Sequence, residues 1–328
     1  MRPSVLSGPR EGLLDRGMRA DVPQRCPMEM QLPARYVDLL DRALPAVLVT
    51  GMPDGRLQST IVWCDRDGNH VLLNTMREFQ KARNLRKSPR ATLFVRDPVI
   101  SDRWLEVRGR VEIEELGASD HLDELARMYA GTAPYFGAVV PAELAAVEHP
   151  LRIRLLPAAV RTGPFRSPDG RRTSRPTPWR WNRPRACEDE PAIPPTHRDL
   201  LERPLNAVIC TRLPDGFAQV QPVWFEVDGN DLLVNTTRER RKGRNLEDDP
   251  RATLLVIDPD DDGRWIEIRG DVDLIACGAE AQLDRLTRRY TRHERFYGWV
   301  YPVERRELET RVIVRIHPRR IVCDAVHR

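Results

Sequence analysis

Residues 74–98 read NTMREFQKARNLRKSPRATLFVRDP, and residues 235–259 read NTTRERRKGRNLEDDPRATLLVIDP. The two stretches begin 161 residues apart, and the same spacing carries Asp54-Gly55 to Asp215-Gly216 and Trp63 to Trp224. It holds without a gap from about Asp38/Asp199 to Val160/Ile321, and roughly half of the positions between Asp54 and Gly109 are identical to their partners. A period this long is duplication of a whole domain, not a solenoid unit. Working outward, the first copy covers 32–164 and the second 193–328. Residues 1–31 carry few apolar residues in any periodic pattern and are expected to be disordered, with Met28 and Met30 as alternative starts. Residues 165–192 are dense in Pro and Arg, a composition that cannot bury a core and reads as an extended linker, although Trp179 and Trp181 could dock on a domain.

Within one copy the signals alternate between strand and turn. Ala46 to Gly51 is a β-branched apolar run closed by Pro53-Asp54-Gly55, which predicts a strand and a hairpin turn. Gln58 to Asp65 and His70 to Asn74 predict two more strands. Thr75-x-x-Glu78 has the spacing of a capping box, which predicts a helix starting at Thr75 and ending at Pro89. Arg90 to Asp97, Trp104 to Ile113 and Leu151 to Leu156 read as strands, and Gly117 to Tyr129 and Pro141 to Val147 as helices. Copy two repeats every one of these signals. About six antiparallel strands per copy with inserted helices point to a mostly β chain of two closed barrels rather than a doubly wound sheet.

Composition narrows the function classes. With 41% hydrophobic and 31% charged residues the chain has the balance of a soluble globular protein. No apolar run reaches the ~20 residues that span a bilayer, and no secretory signal is apparent, so a cytoplasmic protein without a membrane partner is expected. The net charge of +4 is mild for a nucleic-acid binder, and no stacking-aromatic motif accompanies the basic segments. The six cysteines form no C-x-x-C pair and the seven histidines no metal spacing, so no metal site is expected. No nucleophile–base pair, carboxylate pair or Gly-rich phosphate loop stands out.

The block N-T-x-R-x-x-x-K-x-R-N-L followed by P-R-A-T-L, with Pro222-Val223-Trp224-Phe225 before it in copy two, resembles the pyridoxamine 5′-phosphate oxidase-like superfamily of FMN-binding split β-barrels. More narrowly it is similar to the branch that uses the deazaflavin coenzyme F420. The resemblance covers each copy almost end to end and implies two tandem split barrels forming a pseudo-dimer, with cofactor in grooves between them. One fused chain could then replace a homodimer and act as a monomer. Read from the residues, Thr75 and Arg77 sit at an expected helix N-terminus that favours an anion, with Lys81 on the same face and Asn84 able to reach a polyol. Thr236, Arg238, Lys242 and Asn245 repeat the set; Asn74 and Asn235 would shape the turn, and Trp63 and Trp224 would flank a ring. The further basic residues Arg83, Arg86 and Lys87 suit a long polyanionic tail, which coenzyme F420 carries and FMN lacks.

Two features stay open at this level. Trp104-x-Glu106-x-Arg108 and its partner Trp265-x-Glu267-x-Arg269 read either as barrel packing with a cross-strand ion pair or as a groove wall for the other copy. Tyr135, Phe136, Phe296, Tyr297, Trp299 and Tyr301 read either as core or as pocket lining. The expected function is an F420H2-dependent reductase delivering hydride to an unsaturated small-molecule substrate. The alternatives are an FMN-dependent oxidase or reductase, and a catalytically silent flavin- or heme-binding protein. For heme the axial ligand is missing, because His70 and His149 become Asp231 and Thr310 in copy two. The two sites are expected to be unequal. Copy two is the closer to a ring site, since Ile61 and Cys64 of copy one stand against Pro222 and Phe225.

Overall fold

The computed structural model describes residues 30–100, 102–163 and 192–324. The expectations for residues 1–29, for the linker over 164–191 and for Trp179 and Trp181 therefore lie outside the described residues.

Copy one opens with a single helical turn, α1 (Asp38–Asp41), and strands β1 (Ala46–Gly51), β2 (Leu57–Val62), β3 (Cys64–Asp67) and β4 (His70–Met76). Helix α2 (Gln80–Lys87) leads to β5 (Arg90–Arg96), β6 (Trp104–Glu114), α3 (Ala118–Ala130) and β7 (Pro150–Thr162). Copy two repeats the order as α4 (Arg198–Glu202), β8 (Ala207–Arg212), β9 (Ala218–Val223), β10 (Phe225–Asp228), β11 (Asp231–Thr237), α5 (Arg241–Asp248), β12 (Arg251–Asp258), β13 (Asp261–Ile275), α6 (Ala279–Tyr290) and β14 (Arg311–Cys323). Each copy is a seven-stranded antiparallel sheet, β2-β1-β5-β6-β7-β4-β3 and, in the same order, β9-β8-β12-β13-β14-β11-β10. The expected six strands become seven because the run Gln58 to Asp65 breaks at Trp63 into β2 and β3, which pair at opposite ends of the sheet. Pairing of β6 with both β5 and β7 curls the sheet, and a bulge between Arg108 and Gly109 makes the bend. Only glycine fits there: a Cβ on Gly109 would lie 1.9 Å from the Leu156 carbonyl oxygen, and one on Gly270 would lie 2.4 Å from that of His317.

The helix expected at Thr75 starts later. Thr75 and Met76 continue β4, pairing with Leu151 and Pro150 of β7. The helix begins at Gln80, after an extended Phe79 with no side-chain cap. The Glu of the supposed capping box does another job. Glu78 accepts the backbone N–H of His149, and Glu239 that of Thr310, so both carboxylates tether the loop that enters the last strand of their copy.

Strand β1 shows why its run is apolar throughout. Ala46 and Leu48 face the core of copy one, while Val47 and Val49 join Val208, Cys210, Phe94 and Trp265 in a cluster shared by the two copies. A strand buried on both faces needs no alternation. Around this cluster the polar contacts come in reciprocal pairs. The Thr92 hydroxyl donates to the Ala218 carbonyl at 2.9 Å, and the Thr253 hydroxyl donates to the Leu57 carbonyl at 2.8 Å. Arg90 donates to Asp215 O and Arg251 to Asp54 O, each at 2.8 Å. Contact i to j with j to i is the signature of a two-fold axis, so the copies pack barrel against barrel as a pseudo-dimer.

Glu106 and Glu267 are the buried centre of that interface. Each carboxylate pairs with the Arg two residues on along its own strand, Arg108 and Arg269, and not across strands. Each also reaches into the other copy. Glu267 accepts the Ser59 N–H at 2.6 Å and the Ser59 hydroxyl at 3.0 Å, and Glu106 accepts the Val220 N–H. These residues are neither simple barrel packing nor a groove wall but the polar lock between copies.

Candidate functional site

The Trp63 break that divides β2 from β3 also sets the floor of a cleft. Trp63 stacks on Tyr129 with ring centroids 5.2 Å apart and planes 14° from parallel. Tyr129 is fixed in turn, its hydroxyl bonded to the carbonyls of Leu44 and Cys64. Tyr135 meets Trp63 edge to face at 5.9 Å. Trp63 and Tyr135, with Met76, Phe79 and Leu122, bound a cleft of about 590 Å³, counting the space open to solvent. Ile61 and Val62 of β2, Asn74 and Thr75 of β4, Lys81 of α2 and Leu125 of α3 complete the copy-one side. Asp262, at the start of β13, comes from copy two.

Two polar groups in this apolar setting lack hydrogen-bond or ion-pair partners among the described residues. Lys81 is 5% exposed, and its ammonium makes no ion pair among the described residues, only a contact over the Phe79 ring at 5.4 Å. Burial pulls it down from its usual 10.5 to about 8. The Thr75 hydroxyl oxygen is buried without a hydrogen-bond partner. Buried unpaired polar groups are costly, and an anionic ligand carrying hydroxyl or phosphate oxygens would satisfy both.

Of the copy-one residues expected at the site, Trp63, Asn74, Thr75 and Lys81 come together on the cleft. Arg77 does not line it; its guanidinium pairs with Glu115 at 2.9 Å. Asn84 is 1% exposed and faces inward, donating to Thr50 Oγ1 and Gln58 Oε1, both at 3.0 Å, so it pins α2 to the sheet and cannot reach a polyol. Asn74 sits in β4, not in a turn, and donates to the Ala118 carbonyl, holding α3.

Copy two keeps the framework and places two arginines where copy one has an aromatic ring and a proline. Trp224 stacks on Tyr290 at 5.4 Å, Asn245 donates to Thr211 and Gln219, Asn235 donates to the Ala279 carbonyl, and Arg238 pairs with Glu247. Thr236 is again a buried hydroxyl without a partner. Lys242 is 8% exposed and drops to about 7 through burial, with Arg240 and Arg311 adding repulsion. Those two arginines mark the difference. Where copy one has Phe79 and Pro150, copy two has Arg240 and Arg311, both paired with Glu309. The Arg311 guanidinium lies 4.9 Å above the Phe296 ring and 5.2 Å above that of Tyr297, covering the position that Tyr135 holds open in copy one. Phe225 and Cys64, whose difference favoured copy two on sequence grounds, are both fully buried in the barrel cores.

Sequence reasoning missed Phe79, Met76 and Leu122, which look like ordinary apolar residues, and Asp262, whose arrival depends on the packing of the copies. For Lys81 and Asn84 a signal was present. Positions 81, 84 and 85, all buried, are identical in the duplicate, and the exposed positions 86 and 87 are not, although exposed Arg83 is also kept as Arg244.

A pair of fused antiparallel half-barrels with a ring-walled cleft at their junction defines the class of the flavin-binding split barrels. A family profile described as pyridoxamine 5′-phosphate oxidase matches residues 32–156 and again residues 193–322. The chain belongs to the pyridoxamine 5′-phosphate oxidase family and carries its domain twice. Among solved structures, an F420 reductase is 33% identical over 39% of this chain and 98% of its own, with a TM-score of 0.34. A conserved hypothetical protein of Mycobacterium tuberculosis is 25% identical over 45% and 97%, with a TM-score of 0.34. A heme storage protein of Vibrio cholerae is 15% identical over 42% and 97%, with a TM-score of 0.31. No curated protein matches the chain. No helix among the described residues is long and apolar enough to cross a membrane.

Proposed function

We propose that the copy-one cleft binds coenzyme F420 and that the chain is an F420H2-dependent reductase of an unsaturated small molecule. The observation that carries this reading is the conjunction, in one cleft, of aromatic walls with a buried ammonium that has no ion-pair partner among the described residues. A planar tricyclic ring suits the first, and a phosphate-bearing side arm satisfies the second. Lys81 and the Thr75 hydroxyl hold the anionic end, while Trp63, Phe79 and Tyr135 enclose the ring. Arg83, Arg86 and Lys87 stand exposed on the outer side of α2 and offer a positive strip to an acidic tail. The bound cofactor supplies the hydride; the chain orients the ring and keeps water from it. Asn74, Asn84, Asn235 and Asn245 act through the scaffold. Arg77 and Arg238, engaged with acids, contribute only long-range charge. Thr236, Lys242 and Trp224 belong to the copy-two counterpart, where Arg240 and Arg311 replace Phe79 and Pro150, so one cofactor per chain is expected, in a chain that works as a monomer.

The test is titration of purified protein with coenzyme F420 and with FMN, read by absorbance and fluorescence. Saturable binding of F420 at one equivalent is expected. Binding of FMN alone would replace this reading with an FMN-dependent oxidoreductase, and binding of neither would make the protein a silent member of its family.

A further inference from the structure

The cleft has a negative pole as well as a positive one. Among the described residues Asp262 is the single cleft-lining residue supplied by copy two, and it arrives because β13 begins at Asp261, whereas its counterpart β6 begins only at Trp104. The copies differ here in sequence too: Asp261-Asp262-Gly263 stands where copy one has Ile100-Ser101-Asp102. No hydrogen bond or ion pair holds the Asp262 carboxylate among the described residues. The nearby charges do not neutralise it. Asp261 beside it is of like sign, Arg264 on its own strand is committed to Asp199 and Asp258, and the Tyr135 phenol is held neutral by burial. Lys81 lines the same cleft from α2.

Resting on the reading of the cleft as a hydride-transfer site, we propose that its acceptor carries a positively charged nitrogen, and that Asp262 is the counter-ion that selects it. The acceptor class is a protonated imine or a related iminium conjugated to a planar, apolar body. An unpaired carboxylate beside aromatic walls favours a cation over a neutral isostere and disfavours an anion, since like charge in a desolvated site is repelled. The chemistry balances without another co-reactant. The carbon of the protonated C=N⁺ group takes the hydride from the reduced cofactor; the π pair moves to nitrogen, where the proton already present stays, and the proton that the reduced ring sheds as it becomes oxidised passes to the product amine or to water. Asp262 keeps that proton on nitrogen by stabilising the charge. Burial and Asp261 raise the carboxyl from 3.8 to about 6, so the selectivity is present above that pH and lost below it.

The test uses 9-aminoacridine, a planar cation, against acridine-9-carboxylate, a planar anion. Both are titrated by fluorescence at low salt into the whole cofactor-free protein and into its Asp262→Asn, Asp262→Glu and Lys81→Met variants. The wild type should prefer the cation at pH 7.5. Asp262→Asn should lose about tenfold in cation affinity and gain in anion affinity, Asp262→Glu should keep the preference, and Lys81→Met should strengthen it. In the wild type the preference should shrink as pH falls through about 6. Equal cation affinity in wild type and Asp262→Asn overturns the inference even if F420 binds. Failure of F420 to bind while the Asp262-dependent preference persists overturns the hydride-transfer reading and leaves the cation site standing.

Discussion

Replacing Lys81 by Met removes a charge and keeps most of the volume. The ammonium falls from 10.5 in the unfolded chain to about 8 in the folded one, with burial as the cause. At ~1.4 kcal/mol for each tenfold step in the proton equilibrium, its presence costs the folded protein about 3 kcal/mol below pH 8. The Phe79 ring, 5.4 Å from the ammonium, offsets about 1 kcal/mol of this. Lys81→Met should therefore be more stable than wild type by about 2 kcal/mol at pH 7. The sign follows from linkage. Between about pH 8 and 10.5 the unfolded chain holds the proton more tightly than the folded one, so wild-type stability recovers with rising pH. Above that window both states are neutral and the gap between variant and wild type should close. Taking the difference between the two proteins cancels the buried thiols and phenols, which titrate in the same range. The assay is urea denaturation across pH 6 to 11, followed by cofactor titration. The same variant should bind coenzyme F420 more weakly by about 1.5–3 kcal/mol, the usual worth of a hydrogen bond to a charged group. A variant that is less stable than wild type at pH 7, or that binds the cofactor as well, refutes the reasoning. Lys81 would then have an internal partner and no ligand role.

Asn84→Ala, at a site with two buried hydrogen bonds, should lose about 2–3 kcal/mol of stability in denaturant and leave the cofactor dissociation constant within twofold once folded. Glu267→Gln strands the buried Arg269 guanidinium and should cost about 3–5 kcal/mol by chemical denaturation; a smaller loss would mean that the inter-copy lock is not closed. Gly109→Ala, whose Cβ would sit 1.9 Å from the Leu156 carbonyl, should cost at least about 1–3 kcal/mol in thermal unfolding. Calorimetry should find one cofactor per chain, and the double change Arg240→Phe with Arg311→Pro, which gives copy two the residues of copy one, should raise the count toward two.

The fold was legible because duplication supplies its own control: every turn signal from Pro53-Asp54-Gly55 to Pro89 has a counterpart 161 residues on. The site was legible only in part. Thr75-x-x-Glu78 satisfies a local rule, yet the Glu78 carboxylate bonds a backbone N–H 71 residues away, and long-range partners of that kind leave no trace in spacing. The burial of Lys81 and Lys242 had no counterpart in the sequence reading, because lysine is seldom buried. Asp262 was invisible for the same reason that it matters, since its place is set by the packing of one copy on the other.

The Glu106/Glu267 lock joins two surfaces that share one chain. In an assembly of identical subunits each substitution appears twice, once on either side of the axis, and a change that helps one groove is imposed on its twin. Covalent fusion lifts that constraint. It also keeps the halves at a high effective concentration however dilute the protein, so one half can give up its own groove without losing its partner. Copy two shows such divergence: Arg240 and Arg311 pair with Glu309 where copy one has Phe79 and Pro150, and Asp262 stands in the wall of its neighbour's cleft.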